Sequence, residues 1–160
     1  MKQLFIRIFV ISLLMGITSV YAEEVAIKPF QRGDWSALQK ANKGAPLAIH
    51  FWGVTCPSCV KEMPLWGRFM RQNPTAKVIF IQADDVSVES MQNMLKKASL
   101  LNADNYYVSG PFDERLRYEV DPSWHGETPA TFLIDRNGRI SKKIGAIDFL
   151  QLKTFLLRGS

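Results

Sequence analysis

The chain has 160 residues, a formal net charge of +5, 47% hydrophobic and 22% charged side chains. That is enough apolar material for one packed domain and too much for a disordered chain, and two cysteines are too few for a disulfide-dense scaffold. No repeat period is present, no apolar run reaches the ~20 residues of a membrane span, and the basic residues are scattered, which argues against a repeat array, a multi-span protein and a nucleic-acid partner.

Residues 1–22 read as a signal peptide. Lys2 and Arg7 form a positive start, an apolar stretch runs from Ile8 to Ile17, and Val20 and Ala22 are small enough for a signal peptidase. An uncleaved single-pass anchor is the alternative, but the apolar run is short for it. No cysteine lies nearby for lipid attachment. Cleavage leaves a single domain, residues 23–160, in an exported and oxidising space, with no membrane span.

Glu23 to Gln31 reads as a loose or edge segment, and Gly33 to Asn42 as a first helix with Asp34 near its N-cap. Gly44-Ala45-Pro46 stops it. Leu47 to Trp52 is a short, nearly continuous apolar run, as expected of a strand covered on both faces. The loop Gly53-Val54-Thr55 leads into Cys56-Pro57-Ser58-Cys59, and helical spacing continues to about Gln72. Pro64 sits inside that helix, where it predicts a kink. Lys77 to Ala83 is a second buried strand, ended by Asp84-Asp85. A helix capped by Ser87 runs to Leu101, Tyr106 to Val108 is a short extended piece, and Pro111 to Val120 a short helix. Ala130 to Asp135 is a strand, and Arg136-Asn137-Gly138 turns it into an antiparallel edge, Arg139 to Ile144, blunted by Lys142 and Lys143. Asp148 to Leu157 closes the chain as a helix. Strands alternating with helices and finishing in a hairpin predict an α/β fold, a central mixed sheet flanked by helices.

Both cysteines fall in one four-residue window at a strand-to-helix junction. As a staple this placement is poor: closing so short a loop contributes roughly 2 kcal/mol at best, against about 3 for fifteen residues. For a redox pair it is good. A helix starting at Cys56 aims free N–H groups at its sulfur and lowers the thiol pKa. Pro57 suits the first helical position, and Cys59 lies on the same face, within reach as the resolving thiol. Haem attachment would need a histidine where Val60 stands. A zinc site would need further ligands, and the two histidines, His50 and His125, are far apart in sequence. Copper held by the two thiolates stays open as an alternative, since soft sulfur selects Cu(I). Met63, Met70, Met91 and Met94 fall at helical spacings and suit a core better than copper ligation. No cofactor is expected.

The run Phe51-Trp52-Gly53-Val54-Thr55-Cys56-Pro57-Ser58-Cys59-Val60-Lys61-Glu62-Met63-Pro64 resembles thioredoxin-like proteins of the TlpA/ResA/DsbE type. Glu127-Thr128-Pro129-Ala130-Thr131-Phe132-Leu133-Ile134-Asp135 resembles their second signature. The likeness covers roughly residues 30–158. It implies a thioredoxin-like fold, a reversible Cys56–Cys59 disulfide, periplasmic thiol–disulfide exchange with protein substrates, and a membrane or periplasmic redox partner. Most such relatives are reductants serving cytochrome c or copper-site maturation. It also implies a cis Pro129 opposite the cysteines, with the backbone of Thr128 free to pair with an extended substrate. Two departures stand out. Thr55 replaces the usual tryptophan before the first cysteine, and His50 occupies the place of thioredoxin's buried acid. His50 is a candidate base for Cys59. Asp85 and Glu62 are candidates for proton transfer or redox tuning, and Thr55 and Trp124 for the substrate rim, with a loop anchor as the alternative for Trp124.

Overall fold

The computed structural model describes residues 27–157; the signal peptide expected over residues 1–22 lies outside them. The elements run β1 (Lys28–Phe30), α1 (Asp34–Ala41), β2 (Leu47–Trp52), α2 (Pro57–Gln72), β3 (Val78–Gln82), α3 (Val88–Ala98), β4 (Asp104–Val108), α4 (Glu114–Val120), β5 (Ala130–Ile134), β6 (Ile140–Ile144) and α5 (Phe149–Leu157). One mixed sheet has the order β1-β4-β3-β2-β5-β6. Its first four strands are parallel, while β5 runs antiparallel to both β2 and β6.

β2 is buried at every residue, which explains its continuous apolar run. Alternate side chains serve opposite faces. Leu47, Ile49 and Phe51 enter one core with Trp35, Phe132 and Trp124. Ala48 and Trp52 enter the other with Cys59, Met63, Trp66 and Phe80, beneath α2. His50 shares this second face, its ring 4.6 Å from that of Trp66 and 6.0 Å from that of Phe80. Met63 and Met91 are buried in the same core, with Met70 and Met94 packed against it.

The remaining expectations sort by local chemistry. The segment before α1 supplies a three-residue edge strand paired with β4. Gly33 is the N-cap of α1, with Asp34 next to it: the Gly33 φ of 94° is left-handed, its N–H donates to Glu119 at 2.9 Å, and Asp34 accepts from the Gln31 N–H at 2.8 Å. α2 continues through Pro64 to Gln72 as one helix. Ser87 does cap α3, accepting from the Ser90 N–H at 3.2 Å. On the edge strand β6, Lys142 Nζ reaches Asp121 at 3.2 Å and Ser123 at 2.8 Å. At Gly67, where α2 crosses α3, an added Cβ would overlap the Ala98 carbonyl oxygen. Among the described residues, no helix is long and apolar enough to cross a membrane.

Candidate functional site

The end of β2 and the start of α2 place the two cysteines. Cys56 is the N-cap of α2 with extended backbone, and Pro57 is the first helical residue, where a missing N–H costs nothing. The Cys59 N–H points at Cys56 Sγ from 3.2 Å, and the Ser58 hydroxyl lies 3.3 Å from the same sulfur. The sulfur therefore occupies the anion-favouring position of a helix start. The two cysteines form a disulfide. They differ in access: Cys56 is half-buried, whereas Cys59 is wholly buried.

Opposite them, the turn into β5 brings the Thr128 carbonyl oxygen to 3.4 Å from Cys56 Sγ. The Thr128–Pro129 peptide bond is cis. A cavity of about 150 Å³ opens beside Cys56, lined among others by Thr55, Asp84, Phe112 and Thr128. Its walls come from four segments far apart in sequence: the β2–α2 loop, the end of β3, the loop before α4 and the turn into β5.

One residue of that cavity escaped the sequence reading. Asp84, not Asp85, engages the loop that carries Cys56. Its carboxylate accepts from the Val54 N–H at 3.0 Å, the Thr55 N–H at 2.7 Å and the Thr55 hydroxyl at 2.8 Å, and it also takes the Gln82 side-chain amide. Partial burial works against its charge, but the Thr55 N–H and hydroxyl, the Val54 N–H and the Gln82 amide together hold its carboxyl below the usual carboxylate range. Asp85 is exposed. The signal was present as an acid pair just after a buried strand, but nothing in the sequence said which member turns toward the loop.

Trp124 is a buried loop anchor and not a rim residue, 3% exposed, with ring centroids 4.7 Å from Phe51 and 5.2 Å from Phe132. Its indole N–H donates to the Glu127 carbonyl at 3.1 Å, which ties the segment before Pro129 to the core. Thr55 is exposed beside Cys56, and its hydroxyl is committed to Asp84.

Behind Cys59 the environment is apolar. His50 is fully buried, and that desolvation lowers its pKa to about 3, so the ring is neutral. Its Nδ1 lies 2.9 Å from Thr131 Oγ1, and its Nε2 lies 3.8 Å from Glu62 Oε2. Glu62, one turn beyond Cys59, accepts from the Ile147 N–H at 2.7 Å through Oε1. Burial raises its pKa, opposed by the Ile147 N–H and weakly by the Trp66 indole. The two ring nitrogens of His50 thus face Thr131 Oγ1 and Glu62 Oε2. Among the described residues, no three His, Cys, Asp or Glu side chains converge as a metal site.

Searched against models of protein families, the chain matches none. It does match individual proteins. Over 114 residues it is 31% identical to sporulation thiol-disulfide oxidoreductase A of Bacillus subtilis, covering 70% of this chain and 67% of the relative. Over 108 residues it is 28% identical to the thiol-disulfide oxidoreductase ResA of Bacillus cereus, covering 64% of this chain and 56% of that one. The chain therefore spans between about half and two-thirds of these relatives' lengths. The crystal structure of a secreted disulfide oxidoreductase of Mycobacterium tuberculosis superposes with a TM-score of 0.58 at 21% identity, over 73% of this chain and 84% of that one. That likeness identifies the mixed sheet and its helices as a thioredoxin-like α/β fold.

Proposed function

We propose a function from one premise: this chain belongs to the family of thioredoxin-like thiol–disulfide oxidoreductases of the TlpA/ResA/DsbE type. On our reading it is exported by residues 1–22, works in the periplasm as the single domain 23–160, and exchanges disulfides with protein substrates through Cys56 and Cys59. The observation that carries this is the unequal access of two bonded sulfurs at one helix start, Cys56 half-buried and Cys59 fully buried.

The chemistry runs in two steps when the protein acts as a reductant. The Cys56 thiolate, favoured by the helix start and the Cys59 N–H, attacks one sulfur of a substrate disulfide. The substrate S–S bond breaks, a Cys56–substrate mixed disulfide forms, and the released substrate thiolate takes a proton from water. Cys59, once deprotonated, then attacks Cys56 Sγ, closes the internal disulfide and frees the second substrate thiol. Two electrons pass from the dithiol to the substrate, and an external membrane or periplasmic dithiol must reopen Cys56–Cys59. In this reading the backbone of Thr128, against Cys56 and before Pro129, receives the substrate segment in an extended conformation.

The reductant direction and a substrate among apocytochrome or copper-site cysteines are supported by the resemblance to the family. A Cys59→Ser variant tests the exchange: it should accumulate mixed disulfides that a reductant releases. A variant that traps no protein, with a wild type that never opens its disulfide in glutathione buffers, would overturn the reading. Titration against those buffers fixes the direction, with a potential near the −270 mV typical of thioredoxin expected for a reductant and one near the −120 mV of the strongest oxidants excluding it.

A further inference from the structure

The interior behind Cys59 holds two titratable side chains whose facing atoms have no hydrogen-bond partner. His50 Nε2 and Glu62 Oε2 are both buried and unsatisfied, and they lie 3.8 Å apart. Each side chain is held from its other end. His50 Nδ1 meets Thr131 Oγ1 on β5 at 2.9 Å, and Glu62 Oε1 accepts from the Ile147 N–H at 2.7 Å. The separation exceeds a hydrogen bond and closes with a side-chain shift of under about 1 Å. Leaving either atom unpaired in this core costs about 1–3 kcal/mol, more for a charged group.

The surroundings leave few ways to satisfy both atoms. The groups packed against the pair are Trp66 from α2, whose buried indole N–H also has no partner and faces Glu62, Phe80 from β3, Thr131 from β5 and the Ile147 backbone; none of them is charged, and an indole N–H does not replace a counterion. Cys59 shares this core and does not titrate while the disulfide is closed. An ionised Glu62 facing a neutral His50 would be a buried charge without a counterion. A protonated Glu62 is a donor, and His50 Nε2 is the acceptor it faces. That assignment leaves the imidazole proton on Nδ1, where Thr131 Oγ1 accepts it.

We infer that His50 and Glu62 hold one proton between them, carried on Glu62 Oε2 and shared with His50 Nε2, and that His50 is thereby the positioning residue for the carboxyl one turn from Cys59. The inference rests on the proposed exchange only for its consequence, which is that the core behind Cys59 carries no net charge while the dithiol opens and closes. The pair itself exists with the disulfide closed, so its test is independent of turnover.

The sign of the pH dependence is distinctive. In the folded protein the pair binds one proton. In the unfolded chain two ordinary groups, with pKa values of 4.5 and 6.5, bind two protons below the lower value, one between them and none above the higher. Between pH 4.5 and 6.5 the counts are equal, so the pair gives stability no slope there. Glu62→Gln leaves a neutral folded His50 and an unfolded histidine that still protonates, so stability should fall as pH drops below 6.5. His50→Gln leaves a protonated folded Glu62 and an unfolded carboxyl that ionises, so stability should fall as pH rises above 4.5.

The test is urea unfolding of the full chain with its disulfide closed, wild type against Glu62→Gln and His50→Gln, across this window. Relative to wild type, the unfolding constant should change about tenfold per pH unit in each variant, in opposite directions. Parallel profiles in all three proteins would overturn the inference. Nitrogen-15 and carbon-13 spectra of wild type locate the proton: a neutral imidazole beside a protonated carboxyl is expected, and an imidazolium beside a carboxylate overturns the assignment. Should His50→Gln fail to fold, the Glu62→Gln profile and the spectra still decide the matter.

Discussion

The two carboxyl groups on either side of the disulfide live under opposite rules. Asp84, on the solvent side, is half-buried and accepts from two backbone N–H groups, a hydroxyl and an amide. Glu62, on the core side, is 3% exposed, and the one backbone hydrogen bond it accepts comes from Ile147. Donors in sufficient number offset desolvation at Asp84 and hold its pKa down; the Ile147 N–H and the Trp66 indole do not offset it at Glu62, whose proton affinity rises. The same functional group thus holds the loop before Cys56 as an anion and, in the pairing inferred above, sits protonated behind Cys59. Chemistry alone does not assign a carboxyl its role; the count of donors around it does.

That contrast can be broken from the top down. The largest effect is expected from Cys56→Ser, which should reduce protein disulfide exchange to the uncatalysed rate in an insulin-reduction assay, while Cys59→Ser retains the first step and stalls on the second. Metal analysis of the same variant under reducing conditions addresses the copper alternative: stoichiometric copper in wild type that vanishes in Cys56→Ser would support a chaperone, and turnover without metal would oppose it.

Asp84→Ala comes next. It strips an acceptor from the Val54 and Thr55 N–H groups and should cost about 2 kcal/mol in urea unfolding, discounted for the partial exposure of the carboxylate. Activity should fall with it, because the loop entering Cys56 loses its anchor. Its pH signature runs opposite to that of Glu62. Asp84 titrates below its ordinary 3.8 when folded, so its stabilisation is present above pH 3.8 and is lost as pH falls through the lower folded value. Wild type and Asp84→Asn should therefore converge in strong acid. A stability gap that persists there would mean the carboxylate is not held by these donors.

Thr55→Val should have a smaller effect, about 1 kcal/mol, since it removes one hydroxyl and leaves both backbone bonds to Asp84. Smallest is Lys142→Ala, a partly exposed pairing with Asp121 worth under about 1 kcal/mol and weakened by salt. An effect of Lys142→Ala larger than that of Thr55→Val would reverse the order of importance drawn here.

Much of this architecture was readable before any coordinates. The apolar runs 47–52 and 77–83 betray buried strands, and β2 and β3 are buried at every residue. Cys56-Pro57-Ser58-Cys59 reveals its chemistry because capping, proline placement and helical reach are local rules. What could not be read depends on contacts across the fold. The choice of Asp84 over Asp85 is made by a loop 29 residues away. Trp124 looks like a rim aromatic until Phe51 and Phe132 close over it. Gly33 caps α1 because Glu119, 86 residues on, supplies the carboxylate. His50 and Glu62 each drew attention singly, but only the crossing of β2 under α2 makes them partners.

Gly67 carries a lesson for anyone who edits α2. The obstacle to a side chain there is the main-chain oxygen of Ala98, which no rotamer change can move aside. In a saturation library across the helix this column should come back blank for every residue but glycine, even alanine. The outward-facing neighbours Lys61 and Arg68 should accept most replacements. Stabilising α2 by raising its helix propensity is thus closed off at Gly67, which after Pro64 is the interior position a propensity table would recommend changing.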